Sequence, residues 1–146
     1  MRVTTWAEYG LIVSLHLARD GSEAPTPARD LAEREGLPAD YVEQILLKLR
    51  RAGLVRSVRG AKGGYFLARD PGSISVRDVM EAAEHRTFEV YCDAHRVNVM
   101  RCGPDGDCSI RPVWRELQRR IDDLLSSVTL ADLLLEENEV QDLVHA

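Results

Sequence analysis

The sequence predicts a mainly α-helical chain with one small β-hairpin, and three observations carry that expectation. Apolar residues recur at steps of three and four through most of the 146 residues, the period of helices that bury one face. Only the stretch from Leu54 to Ala68 alternates apolar and polar residues around a glycine-rich turn, as paired strands do. The length suits one compact domain with an appendage, and it is too short for two independent enzyme domains.

The first helix is expected over residues 5–20, capped by Thr4 or Thr5, with Trp6, Tyr9, Val13 and Leu17 on one face and Leu11, Ile12 and Leu15 widening it. So wide a face implies burial on more than one side. The apolar run Gly10 to Ala18 is about half as long as a membrane span needs and carries His16, which marks a buried helix. GSEAPTP interrupts the pattern, after which Thr26 as N-cap and Pro27 in the first turn open a short helix through Glu35. Gly36 ends it. Leu37-Pro38 opens a third helix in which Tyr41 or Val42, Ile45, Leu46 and Leu49 face inward and Gly53 is the stop. LVRSV and YFLA then form the two strands, joined by RGAKGG. Residues 74–84 read as another short helix, with Ile74, Val76, Val79 and Met80 closing the core.

Two short helices across a tight glycine turn, followed by a hairpin with a basic tip, describe a winged helix-turn-helix. After a cysteine-containing stretch, a longer helix starts at Pro112, and Trp114, Leu117, Ile121, Leu124 and Val128 form a seam suited to a partner helix. Thr129 is placed to cap a last short helix, LADLLLEE, before a loosely held acidic tail. The expected organisation is a winged helix-turn-helix over 1–84, a cysteine loop over 85–111, a dimerisation helix with its short successor over 112–137, and a tail over 138–146.

A net charge of −5 conceals a polarised distribution. Residues 48–62 carry Lys48, Arg50, Arg51, Arg56, Arg59 and Lys62 with no acid, whereas residues 121–146 carry seven acids and no base. One face can therefore meet a polyanion while the far end repels it. In a helix-turn-helix the second helix enters the major groove, which brings Ala39, Asp40, Tyr41, Glu43 and Gln44 near base edges. Gln44 suits a bidentate contact to adenine, and Glu43 suits the amino group of cytosine. Lys48, Arg50, Arg51 and Arg56 suit phosphates; Arg59, beside Lys62 at the wing tip, suits a narrow minor groove. The expected partner is double-stranded DNA.

All three cysteines, Cys92, Cys102 and Cys108, fall between Tyr91 and Trp114, spaced by nine and then five residues in a polar, glycine-containing segment. Their odd number and the lack of a secretion signal favour a reducing cytoplasm, where clustered thiolates serve metal or redox chemistry. A Cys3His zinc site completed by His95 is one alternative, although no close cysteine pair is present. Three soft thiolates also suit an iron–sulfur cluster, which needs four ligands and tolerates a non-cysteine among them. An enzyme using Cys92 or Cys108 as nucleophile and His95 as base lacks an obvious domain to form its pocket, so catalysis is not expected.

MRVT at the start, YVEQILLKLRRAGLVRSVRGAKGGY, ISVRDVMEA, the three cysteines, CSIRPVWREL and SSVTLADLL together resemble the Rrf2 family of winged-helix regulators, which includes IscR-, NsrR- and RirA-like iron–sulfur sensors. The resemblance runs nearly end to end. It implies a homodimer with crossed long helices, a palindromic operator, and a 2Fe-2S or 4Fe-4S cluster near the dimer interface. Two features depart from the family pattern. IscR-like members carry a histidine ligand where this chain has Arg111, which stays protonated and cannot ligate. The spacing of nine between Cys92 and Cys102 is also long. NsrR-like members draw a carboxylate from the first helix of the opposite subunit, which points to Glu8 as the fourth ligand, with His95 second. The expected function is transcription regulation in response to redox state, nitric oxide or iron supply, without a membrane or a small-molecule substrate. The alternative is a cluster-free thiol-redox or zinc-dependent repressor of the same fold.

Overall fold

The computed structural model describes residues 2–84 and 97–146. Helix α1 (Thr5–Asp20) begins where expected, with the Thr4 hydroxyl accepting from the Ala7 N–H at 3.4 Å. Its small residues decide how closely its neighbours approach. At Gly10 a Cβ would stand 3.2 Å from the Cβ of Ala83, so this glycine lets α1 lie directly on α4 (Val76–Glu84).

Helices α2 (Ala28–Glu35) and α3 (Ala39–Arg51) form the helix-turn-helix, with Gly36 in the left-handed conformation as the stop of α2. The inward face of α3 is Val42, Ile45, Leu46 and Leu49, all fully buried against Val13, Leu17 and Leu31. Each such side chain contributes about 1.5–3 kcal/mol by leaving water. The expected cap of α2 is corrected by one residue: Pro27 is the N-cap, and Thr26 has a different task. Its backbone pairs with Tyr65 through hydrogen bonds of 3.0 and 2.8 Å, and its hydroxyl donates to Asp20 at 2.8 Å.

Asp20 and Glu35 also flank His16, a buried residue near the end of α1. The imidazole Nδ1 meets Glu35 at 2.5 Å, and Nε2 stands 3.3 Å from Asp20, an ion-pair distance without hydrogen-bond geometry. Three side chains therefore tie α1 to α2 and to the residue that holds the wing.

The wing is the antiparallel pair β1 (Val55–Val58) and β2 (Gly64–Leu67), in register from Val55 opposite Leu67 to Val58 opposite Gly64. A 3-10 turn, Pro71–Ser73, leads into α4. The helix expected from residue 74 starts at Val76, because Ile74 is extended and pairs with the returning chain: the Leu130 N–H donates to the Ile74 carbonyl at 2.9 Å.

Helix α5 (Val99–Cys102) is a single turn, and α6 (Arg111–Ser127) is the long helix. None of the residues of α6 is buried within one chain, while Val113, Trp114 and Leu124 are exposed. On its charged side Glu116 accepts from Arg119 and Arg120, and those bonds hold its carboxyl at about 2. Val128 does not belong to the expected seam. It caps α6 in extended conformation and packs with Ala7, Val76 and Met80, since the Val76 N–H donates to its carbonyl.

Thr129 exchanges hydrogen bonds with Asp132, but the expected helix LADLLLEE is reduced to the 3-10 turn Asp132–Leu134, whose N-cap is Ala131 and not Thr129. The expected loose tail is instead helix α7 (Glu137–His145), started by a reciprocal capping box between Glu136 and Glu139. Leu143 packs against the cluster of Ala7, Val76, Met80 and Val128, which gives this acidic segment an apolar anchor. Among the described residues no helix is long and apolar enough to cross a membrane.

Candidate nucleic-acid interface and thiol loop

Burying Val42, Ile45, Leu46 and Leu49 leaves the opposite side of α3 in solvent, and that side carries Asp40, Glu43, Gln44 and Arg51. Arg56, Arg59 and Lys62 are exposed on the adjoining wing. The arrangement sets acceptors and an amide at the N-terminal end of α3 and cations at its C-terminal end and along the hairpin. Arg50 reaches the Ser57 hydroxyl at 3.2 Å, bridging α3 to β1, and the Arg56 guanidinium lies 4.6 Å over the ring of Phe66, its cross-strand partner. Both cations remain at the surface, aligned by these contacts.

Tyr41 and Lys48 are held differently. The Tyr41 ring lies against Trp6 at 4.9 Å, tilted by 38°, and meets Tyr9 edge-on at 5.7 Å, so it joins the start of α3 to α1. Lys48 was expected at a phosphate. Its Nζ instead donates to the Ala83 carbonyl at 2.8 Å and lies 4.5 Å over Trp6, which corrects that assignment. The reason is geometric: Lys48 lies on the flank of α3 that faces α4, where the last carbonyls of that helix need donors. Trp6 thus contacts both Tyr41 and Lys48, and nothing in its sequence context distinguishes it from an ordinary core aromatic.

Cys102 closes α5, which is started by Asn98: its Oδ1 accepts from the N–H groups of Met100 and Arg101, both at 3.0 Å. Cys102 and Cys108 are free and half-buried. The backbone N–H groups of Ile110 and Arg111 hold the Cys108 thiol below its ordinary value, which favours the thiolate that binds metals. Arg111 is not idle at the position where a histidine ligand was sought. Its guanidinium donates to the carbonyls of Arg101 and Gly103 at 3.1 and 3.0 Å.

Glu8 is exposed in the first turn of α1, two residues after Trp6. Cys92 and His95 lie outside the described residues. Among the described residues no three His, Cys, Asp or Glu side chains gather as a metal site within one chain. Two half-buried thiols on one ordered loop, one of them biased to the thiolate, are a donor set suited to a soft metal centre that takes further ligands from elsewhere.

Comparison with known proteins gives a consistent answer. The Rrf2 family, described as an iron-dependent transcriptional regulator, matches residues 3–136. The chain is 36% identical over 146 residues to the HTH-type transcriptional regulator IscR of Vibrio cholerae, covering 96% of this chain and 78% of that one. Against IscR of Klebsiella pneumoniae it is 34% identical, covering 92% and 80%. Among solved structures, IscR of T. potens superposes with a TM-score of 0.71 at 36% identity, covering 92% of this chain and 86% of that one. CymR, the global cysteine regulator of B. subtilis, superposes with a TM-score of 0.75 at 32% identity, covering 91% and 95%.

Proposed function

Because the chain belongs to the Rrf2 family of transcriptional regulators, we propose that it acts as a cytoplasmic homodimer on a palindromic operator and senses redox state, nitric oxide or iron supply through an iron–sulfur cluster. The observation that carries this reading is the ordered loop with the Cys102 and Cys108 thiols, directly before a long helix whose apolar seam is uncovered in the single chain. Cys92, Cys102 and Cys108 hold the cluster, and Glu8 of the partner subunit is the fourth ligand, with His95 the second choice. When bound, the cluster supplies one-electron chemistry and a site of attack for oxygen or nitric oxide.

Trp114, Leu117, Ile121 and Leu124 of α6 pack on the same seam of the second copy, which removes exposed apolar surface from both. The two recognition helices then address half-sites roughly 34 Å apart. A ligand on α1 has a mechanical route to α3, since Trp6 touches Tyr41 and Lys48 on that helix and Lys48 grips the end of α4. A change at Glu8 therefore biases the setting of α3, and operator affinity follows the difference in binding between two settings.

Anaerobic purification with iron and acid-labile sulfide analysis tests the cluster. Both should be present, and a colourless protein lacking both even after reconstitution rejects it. Glu8→Ala should speed cluster loss more than His95→Ala, by about ten- to a hundredfold as for lost metal-site support; the reverse ranking assigns the ligand to His95. A second reading is a cluster-free repressor of the same fold controlled by thiol oxidation or zinc, and sulfide content separates the two.

A further inference from the structure

The loop between Cys102 and Cys108 is closed by one side chain. Arg111 Nη2 donates to the carbonyls of Arg101 and Gly103, the residues on either side of Cys102, while the Arg111 backbone N–H donates to the Cys108 carbonyl at 3.2 Å. One residue therefore holds the chain around both cysteines. The packing on the other side is equally close. A Cβ at Gly106 would stand 2.3 Å from the Arg101 carbonyl oxygen and 2.4 Å from that of Met100, and the Gly106 N–H donates to the Gly103 carbonyl at 3.1 Å.

We propose that Arg111 is a positioning residue that fixes Cys102 and Cys108 relative to one another before a metal centre arrives. Arginine suits this because a planar guanidinium offers several N–H groups in fixed directions and keeps its charge at any working pH. A loop held in advance loses little freedom on binding, so its ligands bind more tightly than the same thiols on a floppy segment. The assignment rests on the reading that these thiols hold an iron–sulfur cluster, and it concerns how they are held.

The test uses the full-length chain with Arg111→Met, which keeps the stem and removes the donors, and Arg111→Lys, which keeps one cationic donor group. Gly106→Ala perturbs the same carbonyls from the opposite side. Two quantities are compared with wild type: amide hydrogen exchange across residues 101–108 in cluster-free protein, and the rate at which a chelator bleaches the visible absorption of anaerobically reconstituted protein. Arg111→Met and Gly106→Ala should exchange faster and bleach about ten- to a hundredfold faster, with Arg111→Lys intermediate and operator binding by cluster-free protein unchanged. Unchanged exchange in Arg111→Met overturns the clamp, and faster exchange with unchanged bleaching overturns its role at the thiols. If wild type takes up neither iron nor sulfide, the cluster reading falls while the exchange comparison still decides the clamp.

Discussion

Operator affinity should fall by about 10³- to 10⁵-fold as salt rises from about 50 to 200 mM, the behaviour of a protein that makes six to ten phosphate contacts. A net charge of −5 predicts no such thing, so the result measures how charge is arranged. Arg50, Arg51, Arg56, Arg59 and Lys62 are exposed on α3 and the wing, and two copies double the set. Each cation that meets a phosphate releases condensed counterions, which contributes about 0.9 to the slope of log affinity against log salt. Arg51→Ala should therefore reduce the slope by about two per dimer and weaken all sequences alike. Lys48→Met should leave the slope intact, because Lys48 is engaged with Ala83 and Trp6. Glu43→Ala, removing an acceptor aimed at bases, should flatten base preference at one position and leave the slope alone. A flat salt response, or a slope that drops in Lys48→Met, would show the basic surface to be assigned wrongly.

The parts of this fold that were legible in the sequence are those set by local chemistry. The spacing of Val42, Ile45, Leu46 and Leu49 can bury only one helix face, and Gly36 stops α2 because a glycine accepts the left-handed conformation at no cost. The hairpin is equally local, and its strands lie within one residue of their expected bounds. What could not be read is decided by neighbours distant in sequence. Thr26 has every attribute of a cap, but the Tyr65 backbone competes for its main chain, and Asp20 takes its hydroxyl. Lys48 belongs to a basic run, yet the exposed end of α4 claims it. Val128 keeps the helical spacing of its seam while the chain at Val76 pulls it into the core. For the candidate site, only the clustering of the thiols could be read from the sequence, whereas the clamp by Arg111 depends on a turn that sequence does not define. Arg111 was recognised as a residue unable to ligate; its hydrogen bonds supply the positive role.

Gly64→Ala should detach the wing from the helix-turn-helix. At Gly64 a Cβ would stand 2.4 and 2.5 Å from the carbonyl carbon and oxygen of Thr26 and 2.7 Å from the Pro27 nitrogen, all backbone atoms that no rotamer change can move. The two hydrogen bonds between Thr26 and Tyr65 lie beside that contact, so relief of the clash separates the strand from the segment entering α2. Overpacking of this kind costs about 1–3 kcal/mol, which for a chain of this size lowers Tm by several degrees. The functional loss should be larger than the loss of stability, because Arg56, Arg59 and Lys62 all ride on the hairpin and lose their alignment with α3 together. Lys62→Ala provides the contrast: it removes one exposed charge from the same turn, so it should reduce affinity and salt slope with no change in Tm. Equal unfolding midpoints for Gly64→Ala and wild type would mean that the Thr26–Tyr65 bridge does not hold the wing, and the hairpin would then be anchored by Val55, Tyr65 and Leu67, which pack on the main core.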